Sequence, residues 1–164
     1  MKSNKIVYLS LKFNGSVRFE PKPGPLLLAV GSLMYAMVCT WLDIGYSVGV
    51  VNRFMSNLGK EHWVVVKWIL RYQKGTLRVC LWFGSGKRLL ECFIDSDMSA
   101  YVDTIRSSSG YVMVYAGGAV SWQSRLQKTV ALSTTEAEYM ATVEAGRELL
   151  WMKDFIVELA IRQD

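Results

Sequence analysis

Several residue types that build common structural or catalytic sites are scarce in this chain of 164 residues. It contains three cysteines, three prolines and a single histidine, His62. The cysteines, Cys39, Cys80 and Cys92, are odd in number and include no Cys-x-x-Cys pair, so they indicate neither a disulfide framework nor a zinc site. This cysteine usage favours a reducing, intracellular location, either cytoplasmic or nuclear. With 51% hydrophobic residues, the composition excludes collagen-like and low-complexity disordered chains.

Acidic residues are scarce in the first half of the chain. Residues 1–90 contain 13 Lys and Arg against 3 Asp and Glu, whereas residues 91–164 contain 6 against 11. The overall net charge of +5 hides this asymmetry. A basic half suits a polyanion such as nucleic acid, and an acid-rich half suits either solvated helix faces or a cation site.

One long uncharged run, residues 26–42, raises the question of a membrane span. At 17 residues it is just long enough to cross a bilayer. Gly31, Ser32 and Thr40 interrupt the run, and Asp43 follows it directly. We interpret it as a buried helix and expect no membrane association.

The first half of the chain reads as a lead-in followed by three helices. All three prolines lie in residues 21–25, so residues 1–25 are interpreted as a lead-in that cannot continue a helix. Apolar spacing and end signals predict helices at 26–39, 43–56 and 60–74, with Asp43 as the N-cap of the second. Together, residues 26–76 form a predicted helical unit.

The third predicted helix has two notable faces. Trp63, Val66, Lys67 and Leu70 are expected to share one face. Positive charge lies along the flank, at Lys60, Lys67, Arg71 and Lys74. This pattern is typical either of a surface helix with snorkelling lysines or of a helix that follows phosphates.

From residue 77 onward the apolar period changes to two, which predicts strands at 77–81 and 90–95. Two further strands, at 110–116 and 119–124, are joined by Gly117 and Gly118, which suit a two-residue hairpin turn. The sequence therefore predicts a three-stranded antiparallel meander. Residues 77–164 form the second predicted unit, and the fold class is α/β.

A long helix is predicted after the meander. Ser133 and Glu136 have the spacing of a capping box at its start, and it extends to about Leu159. Its apolar stripe begins with the small residues Ala137 and Ala141, which allow the first turns to lie close against a sheet.

Acidic residues occur at two points where they could bind a cation. Asp95 and Asp97 end a predicted strand, and Glu136 and Glu138 lie in the first turn of the long helix. Glu136 is expected to reach back to the cap, whereas Glu138 lies about 200° further round and can face the sheet edge. An aspartate at a strand end and a helix glutamate beside it suit Mg²⁺, although ordinary surface acids would have the same pattern.

Several sequence blocks resemble a known family in the order in which they occur. They include Gly31-Ser-Leu-Met-Tyr-Ala-Met-Val-Cys-Thr, Lys67-Trp-Ile-Leu-Arg-Tyr, Phe93-Ile-Asp-Ser-Asp, Ser121-Trp-Gln-Ser and Ser133-Thr-Thr-Glu-Ala-Glu-Tyr-Met-Ala. Over residues 29–160 the chain is similar to the Pol polyprotein of copia-type LTR retrotransposons. The resemblance implies a helical reverse-transcriptase tail followed by an incomplete ribonuclease H-like fold.

The resemblance also implies an activity and a site. It implies cleavage of RNA in RNA/DNA hybrids by two Mg²⁺ ions, with Mn²⁺ as a substitute, and it places metal ligands at Asp95 and Glu138. Candidates for hybrid contacts are Gln123, Ser124, Ser107 and Ser108, with turn formation as the alternative role of the serines, together with the basic helix residues Lys60, Lys67, Arg71 and Lys74. The expected partners are the hybrid and the remaining Pol segments.

The chain departs from the family in ways that bear on activity. The family's domain continues into a strand with a third essential aspartate, whereas this chain ends at Asp164, so we expect an incomplete ligand set and impaired cleavage. Asp97 and Asp103 lie nearby but are not evident replacements. The alternative is a remnant that binds nucleic acid, or has a structural role, without cleaving it.

Overall fold

The computed structural model of this protein describes residues 23–57, 59–98 and 105–161. Within these ranges the fold is mixed α/β, with four α-helices and one three-stranded sheet. The chain divides into two compact units, one on each side of the Cys80–Leu81 bond. Most of the predicted lead-in, together with Asp103 and Asp164, lies outside the described residues.

The first helix, α1, spans Pro23–Cys39, so the expectation that residues up to 25 stay outside a helix is wrong. Pro23 and Pro25 lie in the first turn, where backbone N–H groups have no partner within the helix and proline is tolerated. Among the described helices, none is long and apolar enough to cross a membrane.

The second predicted helix begins later than expected. Leu42–Ile44 forms one 3₁₀ turn, and α2 then spans Gly45–Asn52, with no side-chain cap at its start. Asp43 is therefore not an N-cap, because its carboxylate accepts a hydrogen bond from the hydroxyl of Tyr72 instead. This hydrogen bond raises the pKa of Tyr72 to about 12.

Helix α3 spans Lys60–Gly75 and confirms the third predicted helix. Its buried side chains, Val65, Val66 and Ile69, join a core with α1 and α2. The expected face differs in one respect, because Leu70 is exposed whereas Val66 is fully buried. The core of the first unit consists of the buried residues Leu26, Val30, Leu33, Ile44, Val48, Val51, Val65, Val66 and Ile69.

The sheet of the second unit is an antiparallel meander, as predicted. Strand β1 spans Glu91–Asp97, β2 spans Ser108–Tyr115 and β3 spans Gly118–Leu126, in the order β1-β2-β3. The predicted strand at 77–81 does not form. Its apolar residues Leu77 and Val79 are exposed, so alternation here does not reflect a buried sheet face.

The β2–β3 turn lies one residue earlier than the sequence indicated. Tyr115 pairs with Gly118, which leaves Ala116 and Gly117 as the two turn residues, both with positive φ (51° and 82°). Gly118 belongs to β3, and close packing explains why this position is glycine. A Cβ atom at this position would lie 2.3 Å from the ring of Phe83.

Helix α4 spans Thr134–Glu158, close to the predicted bounds. The Ser133 hydroxyl accepts a hydrogen bond from the Glu136 N–H at 3.1 Å, which confirms the cap. The Glu136 carboxylate reaches Leu132 N–H at 2.7 Å rather than the cap residue itself. The inward stripe includes Ala137, Ala141, Ala145 and Ile156, all of which are buried, and Ala145 packs against the β2 residues Tyr111 and Met113.

Candidate nucleic-acid interface and metal-ligating carboxylates

A basic surface lies on the outer side of α3. At 100° per residue, four basic residues fall within about 60° of arc on the side opposite the buried Val65 and Ile69. They extend over about 21 Å of helix and are Lys60, Lys67, Arg71 and Lys74. We name these four side chains the basic stripe; the structure places all four predicted binding residues of α3 on one surface.

Two tryptophans flank the basic stripe. The Lys67 ammonium lies 5.5 Å from the centre of the Trp63 ring, and the Arg71 guanidinium lies 5.1 Å from that of Trp68. Cation–π contacts of this kind hold long basic side chains against the helix. Trp68 is also more than half exposed, so the surface combines fixed positive charge with an aromatic ring that a base or sugar can contact.

In the second unit, Asp95 lies on the sheet face that points away from α4. Cross-strand partners share a face, and the Cys92–Met113 pair faces the α4 side. Asp95 has the opposite parity along β1 and is exposed. Its carboxylate is therefore directed away from the packed core.

Asp95 heads a row of residues that crosses the sheet. It pairs with Gly110, and Gly110 pairs with Ser124. Because Gly110 has no side chain, the surface between Asp95 and Ser124 is open over two strand spacings, about 10 Å. The structure therefore brings two predicted site residues, Asp95 and Ser124, to one face.

The other predicted hybrid-contacting residues are placed differently. Gln123 pairs with Tyr111 on the α4 side of the sheet, so it does not share a face with Ser124. Ser107 and Ser108 are buried, which favours a structural role for both serines over contact with a nucleic acid.

Glu138 lies in the second turn of α4 and is exposed. Its position round the helix is within about 60° of that of Ala141, so it borders the stripe that packs on the sheet. Its neighbour Ala137 is fully buried. The helix start is thus fixed against the sheet while the Glu138 side chain reaches solvent.

The donor chemistry of Asp95 and Glu138 fits Mg²⁺, which takes one or two protein carboxylates and completes its shell with water and phosphate oxygens. Across residues 23–57, 59–98 and 105–161, no three His, Cys, Asp or Glu side chains form a group able to hold a metal ion. The fit therefore rests on the donor chemistry of these two carboxylates and not on a shared position, because the sheet register directs Asp95 away from the helix that carries Glu138.

Two titratable side chains, Cys92 and Tyr111, lie on the side of the sheet that faces α4. Burial raises the pKa of the Cys92 thiol and is the main cause of the raised pKa of the Tyr111 phenol. Both groups are therefore protonated at neutral pH. Arg125 of β3 pairs with Glu144 of α4, which adds an ionic contact between sheet and helix.

One buried polar residue near the candidate site was missed by sequence reasoning. Gln127 is only 3% exposed and connects β2 to α4 through its side-chain amide. A glutamine that follows a strand carries no local signal of burial, because this residue type is mostly found at the surface.

Comparison with known proteins identifies several relatives. The chain is 57% identical over 139 residues to the retrovirus-related Pol polyprotein from transposon TNT 1-94 of Nicotiana tabacum, covering 85% of this chain and 10% of that protein. It is 33% identical over 143 residues to the Pol polyprotein from transposon RE2 of Arabidopsis thaliana, covering 87% of this chain and again 10% of the relative. Secreted RxLR effector protein 161 of Plasmopara viticola is 44% identical to the chain over 129 residues, which cover 78% of this chain and 91% of that protein.

No family model and no solved structure matches the chain. The chain spans about a tenth of the length of the Pol polyproteins that it resembles. The matches to Pol polyproteins of plant transposons nevertheless cover more than four fifths of its residues. The chain therefore belongs to the Pol polyprotein family of copia-type retrotransposons.

Proposed function

We propose that this Pol segment binds RNA/DNA hybrids and contributes two carboxylates, Asp95 and Glu138, to metal-dependent cleavage of the RNA strand. The observation that carries the proposal is the exposure of both carboxylates, Asp95 on the sheet face that points away from α4 and Glu138 at the border of the α4 stripe that packs on the sheet. Similarity to Pol polyproteins supports it. This role fits an intracellular location, cytoplasmic or nuclear.

The proposed fold of the second unit is the first part of a ribonuclease H-like domain. A three-stranded antiparallel meander followed by a long helix packed on one face is compatible with this assignment. The proposed fold of the first unit is a helical reverse-transcriptase tail, which is supported by its helical content.

In this mechanism the chain's own residues bind and orient. Asp95 and Glu138 would hold Mg²⁺, or Mn²⁺ as a substitute, through carboxylate oxygens. When bound, such ions generate a nucleophile from water at neutral pH and stabilise the leaving oxygen. Ser124, on the same face as Asp95, can donate its hydroxyl hydrogen to a phosphate or a 2′-hydroxyl of the substrate.

Substrate recognition would depend on shape and charge. Near-A-form duplexes are recognised through phosphates and 2′-hydroxyls rather than through base sequence. The basic stripe provides four positive side chains for phosphates. The remaining segments of the Pol polyprotein are proposed as partners.

The test is cleavage of an end-labelled RNA/DNA hybrid by the purified chain in Mg²⁺ or Mn²⁺. Two carboxylates form a small ligand set, so we expect slow cleavage, detected at high protein concentration. Asp95→Asn and Glu138→Gln should each abolish it. Asp154→Asn, an exposed carboxylate on the same helix as Glu138, is the matched control and should cleave like the parent chain.

Two results would contradict the proposal of cleavage. One is the absence of product from protein that circular dichroism shows to be folded. The other is cleavage that survives both Asp95→Asn and Glu138→Gln, since it would then come from a contaminant or from other residues.

A second candidate function, hybrid binding without cleavage, is favoured by the basic stripe. Four basic side chains on one helix face form a binding surface that requires no metal. In this case, the chain would shift a hybrid on a gel while Asp95→Asn and Glu138→Gln left the affinity unchanged. Retained binding together with absent cleavage distinguishes this function from the first.

A further inference from the structure

The two tryptophans of α3 differ in what they contact. Trp63 packs against the core of the first unit, so packing explains its presence. Trp68 is 53% exposed and lies outside that core among the described residues. Apolar surface stabilises a fold only when it is removed from water, so the exposed part of the Trp68 ring contributes little to folding.

Trp68 lies at the edge of the basic stripe. At 100° per residue it is about 60° round the helix from Arg71 and one turn before it. The Arg71 guanidinium lies over the Trp68 ring, 5.1 Å from its centre. A guanidinium that stacks by its flat face keeps the N–H donors along its edge for a phosphate. An aromatic ring and a phosphate donor therefore lie side by side, and a single nucleotide carries a group for each.

A continuous duplex leaves the face of the Trp68 ring without a matching surface. Inside a duplex, neighbouring bases cover both faces of every base, and a protein reaches only the phosphates, the sugars and the base edges in the grooves. An unpaired base exposes its flat face, and stacking on an aromatic ring strengthens binding by about fivefold or more for each base. Phosphate binding by the basic stripe requires no tryptophan, whereas stacking does.

We propose that Trp68 makes α3 prefer a hybrid that carries a single-stranded extension over a blunt one. Its ring stacks on an unpaired base of the extension, and Arg71 binds a phosphate beside that base. The inference rests on the proposed function, because it assigns a nucleic acid to the basic stripe. Every base has a flat face, so the preference does not depend on the base sequence of the extension.

The experiment compares three hybrids of the same duplex sequence by fluorescence anisotropy, with the full chain, at one salt concentration and in EDTA so that no cleavage intervenes. The first hybrid is blunt and the second carries a short single-stranded extension. The third carries an abasic extension of equal length, which keeps the phosphates and removes the bases. We expect the chain to bind the extension with bases more tightly than the abasic one by about fivefold or more.

Variants of Trp68 assign the preference to this ring. Trp68→Ala should bind both extended hybrids equally and should keep the affinity of the parent chain for the blunt hybrid. Trp68→Phe retains an aromatic face and should retain part of the preference. Trp151→Ala removes an equally exposed tryptophan of α4; this matched control should show the full preference.

The possible results separate this inference from the proposed function. If the parent chain binds all three hybrids, and binds the two extended ones equally, the stacking role is overturned while hybrid binding stands. The stacking role is also overturned if the preference survives Trp68→Ala, or if Trp68→Ala weakens binding of all three hybrids by the same factor. If the parent chain binds none of the hybrids, the proposed function itself fails and the inference fails with it.

Discussion

At the residue scale, the β2–β3 turn depends on Gly117. Its φ of 82° favours glycine, and an added Cβ would lie 2.0 Å from the carbonyl oxygen of Ser85. Gly117→Ala should therefore lower the free energy of unfolding by more than about 2 kcal/mol, since a left-handed alanine alone costs about 1–2 kcal/mol. Urea denaturation measures the change.

The matched control is Gly146→Ala in α4, where an added Cβ meets no atom within 4 Å. Alanine is the better helix former, so this variant should be more stable by about 1 kcal/mol. Equal stability of Gly117→Ala and the parent chain would contradict the role assigned to the turn.

A second residue-scale prediction concerns the Tyr72–Asp43 hydrogen bond. The pKa of Tyr72 is raised to about 12 from its ordinary value of 10. As the pH rises, the Tyr72 phenol therefore loses its proton at a lower pH in the unfolded chain than in the folded chain. The stabilisation is complete below about pH 10 and is lost as the pH rises towards 12. Thermal melts of Tyr72→Phe and the parent chain should differ at pH 8 and converge above pH 10. A difference that stays constant over this range would contradict the assignment.

At the element scale, α4 depends on its N-cap. Ser133→Ala removes the acceptor for the Glu136 N–H and should destabilise the second unit by about 1 kcal/mol. Thr135→Ala, an exposed position inside the first turn, should change stability by less than half as much. Urea denaturation followed by circular dichroism compares the two variants, and equal losses would argue against the cap.

Sequence patterns predicted elements well where local signals and burial agree. Helix α3 has an apolar face, a basic residue (Lys74) in its last turn and a terminal glycine, and the sequence predicts its bounds within one residue. The strand predicted at 77–81 does not form, because alternation of apolar residues does not show whether a neighbouring strand is available to pair with. Asp43 does not cap the helix because its carboxylate accepts a hydrogen bond from Tyr72, which is distant in sequence. No local sequence signal indicates such a partner.

At the scale of the whole molecule, part of the positive charge of the first half of the chain is concentrated on one surface, the basic stripe of α3. Helical spacing alone was enough to place the basic stripe on one face. The sheet register that pairs Ser124 with Gly110, and so brings Ser124 into the same row as Asp95, depends on which residues occupy the turn. That one-residue detail was beyond sequence reasoning, because Ala116 takes a positive φ that alanine rarely adopts.

Nucleic-acid binding by the basic stripe is the central proposal for this protein, and charge reversal on the stripe tests it most directly. The measurement is the affinity of an RNA/DNA hybrid, by fluorescence anisotropy over a salt series, for Lys67→Glu/Arg71→Glu and for Lys128→Glu/Lys153→Glu. Both double variants change the net charge equally. We predict that the first double variant weakens binding by about tenfold or more and reduces the salt slope by about two, and that the second has a smaller effect. Equal losses in the two variants, or no loss in the first, would contradict it.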